Sequence, residues 1–126
     1  MRQNIRSRGT GCELRLRRQF LAIGAHPHHN WGAPELDFAF VNARVGVQVD
    51  GCFWHNCPIH GKTPTRNAAW WRAKWEHNAW CDRRSDETWH RRGWIVLRHW
   101  EHENMAAVAH AAWEIVKGRT HEDRLG

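Results

Sequence analysis

The run Asp50–Gly61, DGCFWHNCPIHG, leaves fewer structural options than any other stretch of this chain. Cys52, Cys57 and His60 stand in it as C-x4-C-x2-H. The loop carries Gly, Pro and His at high density and has too few apolar residues to hold itself by packing. Thiolate and neutral imidazole are the ligands zinc prefers, and a closed structural site takes four in a tetrahedron. Metal binding to a site absent from the unfolded chain is folding free energy, so zinc would supply what packing cannot. Spacing leaves the fourth ligand open among His55, His99 and His102.

Cysteine usage agrees with this reading. Nothing among the 126 residues is a run of 18 apolar residues, and the first twenty lack the apolar stretch of a secretory signal. A cytoplasmic location is therefore expected, and four cysteines in a reducing compartment suit metal or free thiols better than disulfides. The length suits one domain, residues 1–126, with one core and no disulfide staples. Residues 1–9 read as a flexible basic arm and 119–126 as a flexible tail. Net charge is +6 before any of the eleven histidines is protonated, which points to a polyanionic partner and most simply to nucleic acid. Ten tryptophans with no tyrosine fit either a core or a surface that stacks on bases.

Periodicity gives the element order. Thr10 and Glu13 have capping-box spacing at the head of a helix expected over Gly11–Ile23, with Leu14, Phe20 and Leu21 as its apolar face. Residues 24–34 are turn-rich. Leu36–Val41 and Val45–Val49 alternate as the strands of a β-hairpin. A long helix is expected from Asn67 to Arg92, stopped by Gly93, with Trp71, Trp75, Asn78 and Asp82 on one stripe. Trp94–Trp100 reads as a strand internal to the sheet. A last helix is expected over Glu103–Lys117, ended by Gly118, with Met105, Val108, Ala112 and Ile115 inward. The order predicts an α/β domain with a mixed sheet.

A second constellation is acidic. Asp37 and Asp50 flank the hairpin and can converge on one sheet edge, supplying the oxygen ligands that Mg²⁺ requires. His55, five residues on, can move a proton near neutral pH. Glu13 and Asp82 add acids from the flanking helices.

The Asp50–Gly61 run resembles the signature of the very-short-patch repair (Vsr) endonucleases. Four further segments resemble that family in the same order: CELRLRR (Cys12–Arg18), PELDFAF (Pro34–Phe40), WWRAKWEHNAWCDRR (Trp70–Arg84) and GWIVLRHWEHE (Gly93–Glu103). The resemblance spans about Thr10 to Lys117. It implies a restriction-endonuclease-like core, a mixed β-sheet flanked by helices with a zinc-stabilised loop. It implies a Mg²⁺-dependent nick in one strand of double-stranded DNA beside a T:G mismatch, the product of 5-methylcytosine deamination. By position it makes Asp37 the acidic metal ligand, the Val49 carbonyl a second ligand and His55 the catalytic histidine. Glu13 and Asp82 become catalytic acids that hold metal-bound waters or orient His55, and Cys52, Cys57, His60 and His102 the zinc ligands. Phe53, Trp54 and Trp71 become the DNA-binding aromatics that wedge into the duplex. A monomer is expected in the bacterial nucleoid, with mismatch-repair proteins or a cytosine methyltransferase as partners and no membrane.

The Asp/Glu-x-Lys motif of many related nucleases is absent, because the second hairpin strand reads Gln48-Val49-Asp50. Asp50 is then a metal ligand or a structural acid. Two other readings are a nuclease of the same core used in restriction, phage defence or homing, and a non-catalytic zinc-stabilised DNA-binding module. Retention of Glu13, Asp37, His55 and Asp82 together speaks against the last, since binding alone needs none of them.

Overall fold

Alternating valines place one row of side chains of β3 (Val45–Asp50) on a single sheet face, and Val45, Val47 and Val49 are buried there. The computed structural model describes residues 11–52, 57–59 and 65–125. Its elements are α1 (Gly11–Ala22), β1 (His28–Trp31), β2 (Leu36–Phe40), β3, α2 (Ala68–Arg91), β4 (Ile95–Trp100) and α3 (Met105–Leu125). The sheet order is β1-β2-β3-β4. The first three strands are antiparallel, and β4 runs parallel to β3 after the crossover through α2. The expected mixed sheet between helices is present.

Two cores form on the two sheet faces. On one, Leu16 and Phe20 of α1 and Val108 and Ala112 of α3 meet Phe38, Phe40 and the valine row. On the other, Leu36 and Ala39 meet Trp89 of α2 and Trp94. Trp31 stacks on Trp94 with ring centroids 5.4 Å apart. Part of the tryptophan excess is thus structural.

Several expectations need correcting. The buried stripe of α1 is Cys12, Leu16 and Phe20, at i, i+4 and i+8, while Leu14 and Leu21 are 41% and 42% exposed. β1 lies inside the stretch read as turns, its four residues His-His-Asn-Trp showing no apolar alternation. β4 is an edge strand, not an internal one. Its apolar run reflects cover on both faces, with Leu97 against the α1/α3 core and Val96 against the α2 core. α3 runs through Gly118 to Leu125 and buries Val116 where Ile115 was expected. A helical glycine costs only about 1 kcal/mol relative to Ala. Beyond it, Arg119 reaches the carbonyls of Ala43 at 2.6 Å and Gly93 at 3.0 Å. Gly93 itself takes φ +86°, which stops α2 as expected. No helix of the described residues is long and apolar enough to cross a membrane.

Candidate active site

The β2–β3 ladder stops at the Phe38–Val47 pair, whereas β3 stays paired with β4 as far as Asp50–Trp100. Beyond Val47 the strands splay, and side chains replace the missing ladder bonds. The Val49 amide donates to Asp37 Oδ2 at 2.7 Å. The Asp37 amide donates to Gln48 Oε1 at 2.6 Å, and Gln48 Nε2 donates to the Glu35 carbonyl at 3.2 Å. Buried Gln48 therefore braces the fork from inside.

The fork opens onto α1. Glu13, only 2% exposed, shares a hydrogen bond of 3.2 Å with His29 Nε2 of β1. His29 stacks on Phe38 with centroids 4.8 Å apart. Burial lowers the His29 pKa, against the opposing pull of Asp37. The Asp37 carboxyl is pushed up to about 7, first by burial, then by Glu13, with Asp50 adding to the rise. The Val49 amide and Arg98 pull it the other way without prevailing. Glu13, Asp37 and Asp50 gather negative charge that a hard cation with oxygen ligands would relieve.

On the α2 side, a cleft of about 260 Å³ is lined by Asp50, Asp82, Asp86 and Arg98, with Trp75 and Trp100 as apolar walls. Arg98 binds Asp50 Oδ1 through Nη1 at 2.8 Å and Asp86 through Nε and Nη2 at 2.9–3.2 Å. Its Nη2 lies 3.7 Å from Asp82 Oδ1.

A third cluster sits just past the ends of β3 and β4. His102 Nδ1 is 3.2 Å from Cys52 Sγ and 3.7 Å from Cys57 Sγ, and the three donor atoms all lie within 4.8 Å of one another. The Cys52 amide donates to Glu101 Oε2 at 2.7 Å, and the Cys57 amide donates to the Cys52 carbonyl at 2.8 Å. Burial and the neighbouring Cys57 push the Cys52 thiol up to about 11. Two buried thiols and an imidazole converging in this way make a donor set that fits zinc.

Comparison with known proteins supplies the family. Residues 1–60 match the family model described as DNA mismatch endonuclease Vsr. The type II nicking enzyme V.NmeDIP of Neisseria meningitidis serogroup C is 33% identical over 105 residues, covering 80% of this chain and 71% of that protein. The type II nicking enzyme V.XorIIP of Xanthomonas oryzae pv. oryzae is 33% identical over 107 residues, 80% of this chain and 76% of that protein. The type II nicking enzyme V.NaeI of Lentzea aerocolonigenes is 45% identical over 69 residues, 55% of this chain. The chain spans only 42% of V.NaeI.

This chain belongs to the Vsr family of DNA endonucleases.

For a Vsr chain, the distribution of expected residues is uneven. Glu13, Asp37 and Val49 meet at the fork, and Asp82 stands across the cleft near Asp50. Trp71 is half-buried at the start of α2, edge-on to Trp70 at 4.9 Å and tilted against Trp75 at 6.2 Å. Cys52, Cys57 and His102 converge, and His99 instead pairs with Glu103 at 2.9 Å. Phe53, Trp54, His55 and His60 lie outside the described residues, as do Thr10 and the arm 1–9. Sequence reasoning missed His29, Asp86 and Arg98 as site residues, and noted Gln48 only for the motif it lacks. Arg98 had a signal, being the one fixed charge within the strand WIVLRHW. His29 had none, since β1 itself was not visible.

Proposed function

We propose that this protein nicks one strand of duplex DNA in a Mg²⁺-dependent reaction, beside a T:G mismatch. The observation that carries the reading is the fork at Asp37. A half-buried carboxyl pushed up to about 7 by desolvation and by Glu13, braced on the Val49 amide, is a group that gains by meeting a divalent cation. Asp37 and the Val49 carbonyl would hold the ion. When bound, Mg²⁺ supplies Lewis acidity to a phosphoryl oxygen.

The chain's own residues do the rest. The Val49 amide and Gln48 fix Asp37 within the fork. Glu13 adjoins it from α1, Asp82 would contribute from α2 through the cleft it shares with Asp50, and His55 is the residue assigned to moving the proton near neutral pH. Phe53, Trp54 and Trp71 would enter the duplex, where unstacking is cheapest at a mismatch. Zinc on Cys52, Cys57, His60 and His102 would hold the loop that carries Phe53, Trp54 and His55. A cluster of acids is a poor surface for a polyanion, so a purely DNA-binding role for this cleft is disfavoured.

The names of the relatives favour a second use of the same chemistry. Relatives named type II nicking enzymes fit the reading of the same core used in restriction. The test is nicking of matched, T:G-mismatched and 5-methylcytosine-containing duplexes, each with and without Mg²⁺. Preference for the mismatched duplex with Mg²⁺ supports the proposal. Equal cutting of all three overturns the mismatch reading, and cutting without a divalent ion overturns the metal reading.

A further inference from the structure

The cleft between α2 and β4 holds a feature that the metal reading does not use. Three carboxylates, Asp50, Asp82 and Asp86, gather around the guanidinium of Arg98, and Arg83 lines the same cleft. Arg98 pairs in register with Gln48 across the parallel β3–β4 ladder, one strand from the fork. Its side chain is 21% exposed, and Nε, Nη1 and Nη2 each donate to a carboxylate.

The bonding has a clear division. Asp86 receives Nε on both oxygens and Nη2 on one, which fixes the plane of the guanidinium against α2. That plane leaves Nη1 aimed at Asp50, 2.8 Å away, and brings Nη2 to 3.7 Å from Asp82. Asp50 follows Val49 directly, so its carboxylate could otherwise face the same ion as Asp37. Strand alternation turns Asp50 to the α2 face, opposite the side chain of Val49, and Arg98 fastens it there. A lysine could supply the charge but not the planar fork that reaches two elements at once.

We propose that Arg98 is a positioning residue for nicking, a resident cation that fixes Asp50 and Asp82 on the α2 side and leaves Asp37 to face the divalent ion. The part of the proposal that concerns the ion rests on the Mg²⁺ reading. The part that concerns positioning does not. It assigns Asp50 the role of a structural acid rather than a metal ligand, the alternative the sequence left open.

Arg98→Met, Arg98→Lys and Asp86→Asn test it by steady-state nicking of duplex DNA, with melting temperature read in parallel. Arg98→Met removes a positive charge beside the acids, so the Mg²⁺ concentration for half-maximal nicking should fall while kcat falls about 10–100-fold, the range expected for misplaced groups. KM for DNA should change little. Arg98→Lys keeps the charge and loses the fork, so kcat should fall with the Mg²⁺ dependence near wild type. Asp86→Asn frees the guanidinium plane and should lower kcat less. A residue that only stabilises the fold would lower the melting temperature and leave kcat per folded molecule and Mg²⁺ dependence alone, and that pattern overturns the proposal. If Arg98→Met does not fold, unchanged kcat in both Arg98→Lys and Asp86→Asn overturns it equally. Wild-type nicking without Mg²⁺ would defeat the metal reading, while the kcat arms would still decide the positioning role.

Discussion

Asp37 Oδ2 accepts the Val49 backbone amide at 2.7 Å, where an uninterrupted hairpin would have placed a bond between backbones. One side chain thus ends a ladder and presents a carboxyl at the point where it ends. The same bond delivers the Val49 peptide to the site, so the two expected metal ligands come as one unit.

Asp37 should show its strain as a pH effect. Its folded pKa, near 7, lies above the ordinary 3.8, so its contribution is unfavourable and grows as pH rises from about 4 to 7. Without divalent ions, Asp37→Asn should melt a few degrees above wild type at pH 8. The gap should shrink toward pH 5, where the wild-type carboxyl is already protonated. Asn keeps an acceptor for the Val49 amide, so the comparison isolates charge. The variant should lose nicking entirely, as should Asp37→Ala. A lower melting temperature for Asp37→Asn at pH 8 would contradict the assignment.

The proton on Asp37 should also compete with Mg²⁺. The Mg²⁺ concentration for half-maximal nicking should rise as pH falls below about 7 and level off above it. Nicking assays at several Mg²⁺ concentrations between pH 5.5 and 8.5 measure this. A half-maximal concentration that does not vary with pH would place the ion elsewhere.

Purified protein should carry about one zinc per chain. Cys57→Ser should lose it and fold poorly, because its buried thiol is one of the donors already gathered on His102. Metal analysis of well-folded protein that finds no zinc would sink the site. Full zinc occupancy in His102→Ala would mean a different fourth ligand.

His55 and the zinc ligands should fail differently. His55→Ala should keep zinc and melting temperature and lose nicking by a factor on the order of 10² or more. Zinc loss in that variant would move His55 into the structural site.

The tryptophans divide in the same manner. Trp89→Ala should cost about 3–5 kcal/mol in denaturant melts, since Trp89 is buried against Trp94 and Leu36. Trp54→Ala should spare stability and lower the ratio of mismatched to matched duplex affinity. A destabilised Trp54→Ala with an unchanged ratio would return Trp54 to the core.

What was legible follows from how each signal is encoded. The valine row of β3 and the Trp71–Asp82 stripe of α2 are periodic, and both elements stand where periodicity put them. The Cys52–Cys57 spacing is local, and its convergence with His102 follows because β3 and β4 lie side by side. β1 was hidden because its pairing with β2 lies in backbone bonds, and His-His-Asn-Trp has no pattern to show it. The burial of Glu13 was hidden because an acid at the head of a helix reads as a solvated cap. The bracing by Gln48 depends on the strands parting, and no composition encodes that.

The β3–β4 pair is fastened at both ends. Arg119 ties the Ala43 and Gly93 carbonyls at one end, and the Cys52–Cys57–His102 cluster closes the other. A slip of one residue between parallel strands exchanges the faces of every side chain on the strand that moves. Here it would turn Leu97 out of the core and drive the Arg98 guanidinium into it. The two fastenings therefore oppose such a slip, and the end that a metal would close is the one beside the acids.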